Sequence, residues 1–147
     1  TRDPRPGELN GVHYYFVSAQ EFDAMIERGD MLEWALVHGK NKYGTPRGPV
    51  DEALAAGKPV LLEIDLAGAR QVRTNRPDAQ FIFLAPPSWE ELERRLIGRG
   101  TEGPEEQARR LATARVELEA ASEFDHVVIN DDVERAVDEL ARLIGLE

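Results

Sequence analysis

The spacing of hydrophobic positions in the first third of the chain predicts a small lobe of strands with one helix. Two segments rich in aromatic and β-branched side chains are predicted strands, namely VHYYFV at 12–17 and MLEWALV at 31–37. Between them, Ser18 begins a capping box followed by apolar residues at helical spacing, which predicts a helix ending at Gly29. A turn from Gly39 to about residue 45 completes this predicted lobe, residues 1–46.

After residue 46 the pattern changes to apolar strands that alternate with amphipathic helices. Strands are predicted at PVLLEI (59–64), QFIFLA (80–85) and HVVI (126–129). Helices are predicted at about 50–56, 67–74, 88–98, 104–122 and 133–144. The alternation is typical of βαβ units and a largely parallel sheet flanked by helices, so the predicted fold class is α/β. Ligands of such sheets bind beyond the carboxyl ends of the strands.

Charge and composition narrow the possible partners. The formal net charge of −10 argues against binding to a nucleic acid polymer, which needs a basic surface. The sequence holds no apolar run long enough to cross a membrane and no recognisable signal peptide, so we expect a cytoplasmic protein without a membrane partner. The absence of cysteine excludes disulfides, thiolate metal sites and a cysteine nucleophile.

The cationic residues are strongly biased towards arginine, with only three lysines among eighteen cations. Arginine suits bidentate binding of phosphate or carboxylate, although a compositional bias of the genome would give the same excess. Arg2 and Arg5 lie in one loop stiffened by prolines, where two guanidinium groups could converge on an anion or simply be solvated. A second group flanks the glycine patch 98–103: Arg94, Arg95, Arg99, Arg109, Arg110 and Arg115. These are either a mobile lid that brings positive charge to a phosphoryl group or a face of solvated ion pairs.

Three acidic residues, Glu33, Glu63 and Asp65, are candidates for binding a ligand or Mg²⁺. Glu33 lies within an apolar strand, and by default its side chain is expected to point to water; the functional alternative is a ligand with paired N–H donors. Glu63 and Asp65 end the strand predicted at 59–64. A carboxylate at the end of such a strand could lie beside Mg²⁺ or cap the N-terminus of the next helix, and the sequence favours neither role. The three histidines have no metal-ligand spacing, and no protein metal site is predicted.

Several strings, in this order and spacing, resemble the guanylate kinase family: TRDPRPGELNGVHYYFVS, LEW, YGTPR, VLLEIDLAGARQVR, FIFLAPPSWEELERRLIGRGTE and VINDD. The resemblance covers the whole chain. It implies the P-loop nucleoside monophosphate kinase fold and transfer of the γ-phosphoryl group of Mg-ATP to GMP or dGMP, which yields ADP and GDP or dGDP. It further implies a GMP-binding lobe at 1–46 and a core at 47–147 that includes an arginine-rich lid at about 98–110.

The resemblance also implies residue roles. The GMP phosphate would be held by Arg2, Arg5, Tyr14 and Tyr43. Glu33 would accept from guanine N1–H and N2–H, and Thr45 would contact O6; adenine lacks that donor pair and would leave the carboxylate unpaired. Asp65 matches the acidic strand tip near the metal and the base, and Glu63 and Glu8 match family acids of less defined role. Arg95, Arg99 and Arg110 match the arginines that neutralise the transferring phosphates, and Asn130 with Arg99 would border the ATP adenine.

One family element does not occur in these 147 residues. Family members carry a G-x-x-x-x-G-K-[ST] loop before the arginine loop, and this loop cradles ATP. Neither Gly39-Lys40 nor Gly57-Lys58 is followed by Ser or Thr, so we expect the 147-residue chain not to catalyse efficient transfer. The alternative function is a non-catalytic guanylate-kinase-like module that binds phosphopeptides. The joint retention of six GMP-site residues argues against it, because a peptide binder has no use for the guanine-reading Glu33. These residues are Arg2, Arg5, Tyr14, Glu33, Tyr43 and Thr45.

Overall fold

The computed structural model describes residues 1–98, 100 and 102–146. The chain divides into two compact units, Thr1–Ala79 and Gln80–Glu147, which we describe separately. The functional division into a lobe at 1–46 and a core at 47–147 with a lid stays a prediction.

The first unit is built around a β-hairpin. Its elements are α1 (Ala19–Glu27), β1 (Met31–Val37), β2 (Asn41–Pro46), α2 (Arg47–Ala55) and α3 (Leu66–Asn75). The predicted capping box is confirmed, since the Ser18 hydroxyl accepts from the Glu21 amide at 3.0 Å and α1 starts at the next residue. β1 and β2 pair antiparallel, and α3 packs against β1. Leu32 of β1 and Val72 of α3 are buried in the core of this unit.

The turn between β1 and β2 is shorter than predicted. His38 and Gly39 both have positive φ, 52° and 64°, and the Lys40 amide donates to the Val37 carbonyl. This tight reversal lets pairing resume at Asn41, so that residues predicted as turn form β2 instead.

The second unit has a parallel strand pair with helices. Its elements are β3 (Ile82–Ala85), α4 (Trp89–Ile97), α5 (Pro104–Glu119), a 3₁₀ helix (Ala120–Glu123), β4 (His126–Ile129) and α6 (Val133–Leu143). β3 and β4 pair in parallel from Ile82 opposite His126, and Val128 is completely buried. Parallel strands joined through helices confirm the predicted α/β class.

The strand predicted at 59–64 is wrong: the segment between α2 and α3 has no regular secondary structure. Its aliphatic residues are partly exposed, with Leu61 at 68%. A strand needs a neighbour to receive its backbone hydrogen bonds, and no described residue pairs with this segment. The apolar run predicts a strand, but no strand among the described residues lies beside it to form the backbone hydrogen bonds.

The strand predicted at 12–17 is also wrong, apart from an isolated bridge between Asn10 and Tyr14. The backbone there is satisfied by local turns: the amides of Val12 and His13 donate to the Leu9 carbonyl. In addition, the side chain of Asn10 accepts from the Phe16 amide at 2.8 Å. An asparagine that captures a nearby backbone amide competes with strand pairing, and the aromatic composition did not reveal that competition.

Candidate functional site

Glu33 is buried, with 9% of its surface exposed, so the expectation that it points to water is wrong. It lies opposite Thr45 in the hairpin, and the Thr45 hydroxyl donates to Glu33 Oε1 at 2.8 Å. Tyr43 shares this face of the hairpin, since side chains two residues apart on a strand point the same way. The hairpin thus places three of the predicted GMP-binding residues on one face.

The N-terminal turn of α3 lies next to the Glu33 carboxylate. A Cβ built on Gly68 would be only 3.1 Å from Glu33 Oε2, which shows how closely the helix backbone approaches. Asp65 caps this helix, because its Oδ1 accepts from the Gly68 amide at 2.8 Å. The N-cap alternative for Asp65 is therefore confirmed, and Glu63 is exposed on the segment before it. A helix N-terminus favours a nearby negative charge, and the Glu33 carboxylate keeps lone pairs to accept further hydrogen bonds.

A bidentate ion pair orders the arginine loop. Nη1 and Nη2 of Arg2 each donate to one oxygen of Glu8 at 2.7 Å, and the Arg5 amide donates to the same carboxylate at 2.8 Å. The hydrogen bonds from Arg2, followed by the one from Arg5, lower the pKa of Glu8 to about 2. The pKa of Arg2 is raised, mainly by Glu8 and to a smaller extent by Tyr43. Glu8 therefore closes the loop and holds the Arg2 guanidinium, while Arg5 is exposed.

Two tyrosines lie next to the Arg2 guanidinium. Its Cζ is 5.3 Å from the centre of the Tyr14 ring, and the rings of Tyr14 and Tyr43 meet edge to face at 6.4 Å. The loop is attached to β2 by two hydrogen bonds between Thr1 and the backbone of Lys42, both 2.9 Å. A cavity of about 400 Å³ opens here, and Arg2, Tyr14 and Tyr43 contribute to its wall. The structure thus brings these three predicted phosphate-binding residues together.

In the second unit, Arg95 and Asn130 are in contact. Arg95 Nη1 donates to the Asn130 carbonyl at 3.2 Å, and Arg95 Nε donates to Glu91 at 2.7 Å. Glu91 also accepts from Arg94, and these two arginines lower the pKa of Glu91 to about 2. Both arginines of α4 therefore form helical ion pairs with Glu91, as the alternative of a solvated face predicts, and these ion pairs do not test a role at a phosphate.

Arg110 is also paired: its Nη1 donates to both carboxylate oxygens of Glu102 at 2.8 Å, which raises the pKa of Arg110. Arg99, the third arginine predicted for phosphate neutralisation, lies outside the described residues. A catalytic role for Arg95 and Arg110, and the lid itself, stay predictions.

Sequence reasoning missed two polar residues of α3, Gln71 and Asn75, that bond to the backbone of β1. The Gln71 amide accepts from the Trp34 N–H and donates to the Trp34 carbonyl, and Asn75 donates to the Leu32 carbonyl. Their i, i+4 spacing was visible in the sequence. Polar residues at that spacing normally mark the solvated face of a helix, so the spacing alone gave no reason to select them.

The described residues contain no group of three or more His, Asp and Glu side chains that could hold a metal ion. The absence of a protein metal site stays a prediction. Likewise, no helix in the described part of the chain is long and apolar enough to span a membrane.

Comparison with known proteins identifies the family. The family model described as guanylate kinase matches residues 1–147. The guanylate kinase of Thermobifida fusca is 62% identical over 145 residues, which are 99% of this chain and 74% of that protein. The guanylate kinase of Cutibacterium acnes is 58% identical over 146 residues, 99% of this chain and 73% of that protein.

A solved structure agrees with these sequence matches. The crystal structure of guanylate kinase from Anaplasma phagocytophilum superposes with a TM-score of 0.73 at 34% identity, and the match covers 99% of this chain and 70% of that one. From its sequence and its fold together, this chain belongs to the guanylate kinase family.

Proposed function

We propose that the chain serves the ATP-dependent phosphorylation of GMP or dGMP, and that its first unit holds the acceptor nucleotide. The observation that carries this proposal is the buried Glu33 carboxylate, held by Thr45 on the same hairpin face as Tyr43. A carboxylate in a fixed position accepts two adjacent N–H groups together, and guanine presents such a pair at N1 and N2. The relatives that carry the name guanylate kinase support this choice of base.

Discrimination against adenine follows from the same carboxylate. Adenine has an acceptor at N1 and no amino group at C2, so its edge would offer the buried Glu33 no pair of N–H donors. A buried charged group left unpaired costs more free energy than a neutral one, about 1–3 kcal/mol or more. Thr45 would donate to guanine O6, and for that its hydroxyl must turn away from Glu33, which it bonds in the free protein.

The acceptor phosphate belongs, in this proposal, beside Arg2, Tyr14, Tyr43 and Arg5. The bond pair to Glu8 uses one hydrogen of each Nη of Arg2, so Nε and the remaining Nη2 hydrogen form a second edge that a phosphate can meet. The hydroxyl groups of Tyr14 and Tyr43 can each donate one hydrogen bond to a phosphate oxygen. Glu8 therefore orients Arg2 without occupying all of its donors.

The ATP half of the proposal concerns other residues. Arg95, Arg99 and Arg110 would stabilise charge on the transferring phosphoryl group, and Asn130 with Arg99 would border the adenine of ATP. Mg²⁺ enters as part of Mg-ATP, where it shields phosphate charge. A coupled ADP-release assay tests the proposed transfer, which predicts ADP formation that depends on both ATP and GMP. ADP formation that does not require GMP would contradict it.

Isothermal titration of the 147-residue chain with GMP, AMP and a phosphoserine peptide tests the acceptor site. We expect micromolar binding of GMP and no binding of AMP or peptide. Peptide binding without GMP binding would instead establish the phosphopeptide module. Glu33→Gln is expected to weaken GMP binding by about 1–3 kcal/mol because a charge-assisted bond is lost. Glu27→Gln, on the exposed side of α1, is the matched control.

A further inference from the structure

A β-bulge lies directly before Glu33. In the hairpin register Met31 is opposite Pro46, whereas Glu33 is opposite Thr45, so β1 contains one residue more than β2 between these pairs. The extra residue is Leu32. A bulge leaves its extra residue outside the strand ladder and turns the following side chain to a new direction. The direction of the Glu33 side chain therefore depends on the bulge being kept.

Two amide side chains of α3 supply the hydrogen bonds that β1 lacks on the edge away from β2. Gln71 Oε1 accepts from the Trp34 N–H at 3.0 Å, and Gln71 Nε2 donates to the Trp34 carbonyl at 2.9 Å. This pair of bonds is the one that a residue on a neighbouring antiparallel strand would make. Gln71 thus takes the place of a strand partner at the residue after Glu33.

The residue before Glu33 is held in the same way. Asn75 Nδ2 donates to the carbonyl oxygen of Leu32, the bulged residue, at 2.9 Å. One helical turn separates Gln71 from Asn75, so both side chains leave the same face of α3. The backbone is therefore bonded on each side of Glu33, at positions 32 and 34.

We propose that Gln71 and Asn75 are positioning residues for guanine recognition, because they lock the bulge that aims Glu33. A strand that loses a bulge shifts its pairing by one residue, and such a shift turns its side chains to the opposite face. With three backbone groups of residues 32 and 34 bonded to α3, this shift would leave those groups unpaired in a partly buried place. The inference rests on the proposed function of Glu33.

The test measures base discrimination as well as affinity. GMP and IMP differ only in the amino group at C2, so the ratio of their dissociation constants reports how well Glu33 is aimed. Isothermal titration of the 147-residue chain is carried out with both nucleotides for wild type, Gln71→Met, Asn75→Ala and Glu33→Gln. Gln20→Met is the matched control, because Gln20 is an exposed glutamine of α1 in the same unit.

We expect Gln71→Met to reduce the preference for GMP over IMP by about fivefold and Asn75→Ala by about threefold, because Gln71 makes two bonds to β1 and Asn75 makes one. Gln20→Met should keep the wild-type ratio. A purely structural role would weaken both nucleotides by one factor and leave the ratio unchanged. If Gln71→Met and Asn75→Ala fold and both keep the ratio, the inference is overturned.

Two further results separate the possible failures. Hydrogen exchange of the wild-type chain must show the Trp34 amide protected; rapid exchange would mean that Gln71 does not hold it, which overturns the inference even if the variants do not fold. If wild type shows no preference for GMP, or Glu33→Gln leaves the preference intact, the proposed function itself is wrong. If those two results are as proposed while Gln71→Met and Asn75→Ala both keep the ratio, only the positioning role is wrong.

Discussion

Arg2 and Glu8 are joined by two parallel hydrogen bonds, each 2.7 Å long, between the two Nη atoms and the two carboxylate oxygens. Both side chains are mostly shielded from solvent, at 14% and 19% exposure. The residue proposed to bind phosphate is therefore already oriented before any ligand arrives. Orientation in advance lowers the entropy that binding must remove.

The Arg2–Glu8 pair predicts a pH dependence of stability. The pKa of Glu8 in the folded chain is lowered from 4.5 to about 2, so its contribution is complete above pH 4.5 and is lost as the pH falls towards 2. Urea unfolding of wild type and Glu8→Gln should give midpoints that differ most above pH 5 and converge near pH 2. Glu27→Gln serves as the exposed control. A difference that grows on acidification would contradict the assignment.

Arg2→Lys separates phosphate binding from base recognition. Lysine keeps the charge but loses the fork that bonds Glu8 and phosphate together, so we expect about tenfold weaker nucleotide binding. Because the change affects the phosphate only, GMP and IMP should weaken by the same factor in titration calorimetry. Arg28→Lys is the control, an exposed arginine paired with Glu21 and Asp30. A loss confined to GMP would place Arg2 at the base instead.

GMP binding should require the hydroxyl group of Thr45. Thr45→Val removes the bond to Glu33 Oε1 and the proposed donor to guanine O6 without changing the side-chain shape. We expect GMP binding to weaken by about fivefold, the value of one ordinary hydrogen bond. Thr45→Ser retains the hydroxyl and should stay close to wild type in the same titration. A loss in Thr45→Ser with none in Thr45→Val would show that the methyl group, and not the hydroxyl, is what matters.

Gly68→Ala should damage the site more than the fold. Alanine favours a helix over glycine by about 1 kcal/mol, yet its Cβ would lie 3.1 Å from Glu33 Oε2 and 3.2 Å from Asp65 Oδ1. We expect the carboxylate to shift and GMP affinity to fall by about tenfold, while the free energy of unfolding changes by less than about 1 kcal/mol.

The control for this variant is Gly48→Ala in α2, where a Cβ meets nothing within 4 Å. Titration calorimetry and urea unfolding measure the two quantities. If Gly68→Ala binds GMP as tightly as wild type, the close approach of α3 does not set the position of Glu33.

Much of the local structure follows from the sequence alone. Ser18 and Ser88 each accept a hydrogen bond from the amide three residues later, and the helix begins where the capping box predicts. Strands β1 and β4 occupy the segments predicted for them. The resemblance to the family predicts that Arg2 and Tyr14 bind the same phosphate, and the structure places them in contact. These features depend on interactions within a few residues or on strings specific to a family.

Other features were decided only by tertiary structure. Whether Glu33 faces water or a helix depends on the bulge at Leu32 and on α3, which begins more than thirty residues later in the chain. The apolar run 59–64 is not a strand, because hydrophobicity indicates burial but does not provide a pairing partner. From the sequence, Gln71 is expected on the solvated face of a helix. In the structure its side chain bonds to the edge of β1. Hydrophobic spacing and helix caps are read within a single turn or strand, whereas burial and strand pairing depend on partners that folding brings from distant positions.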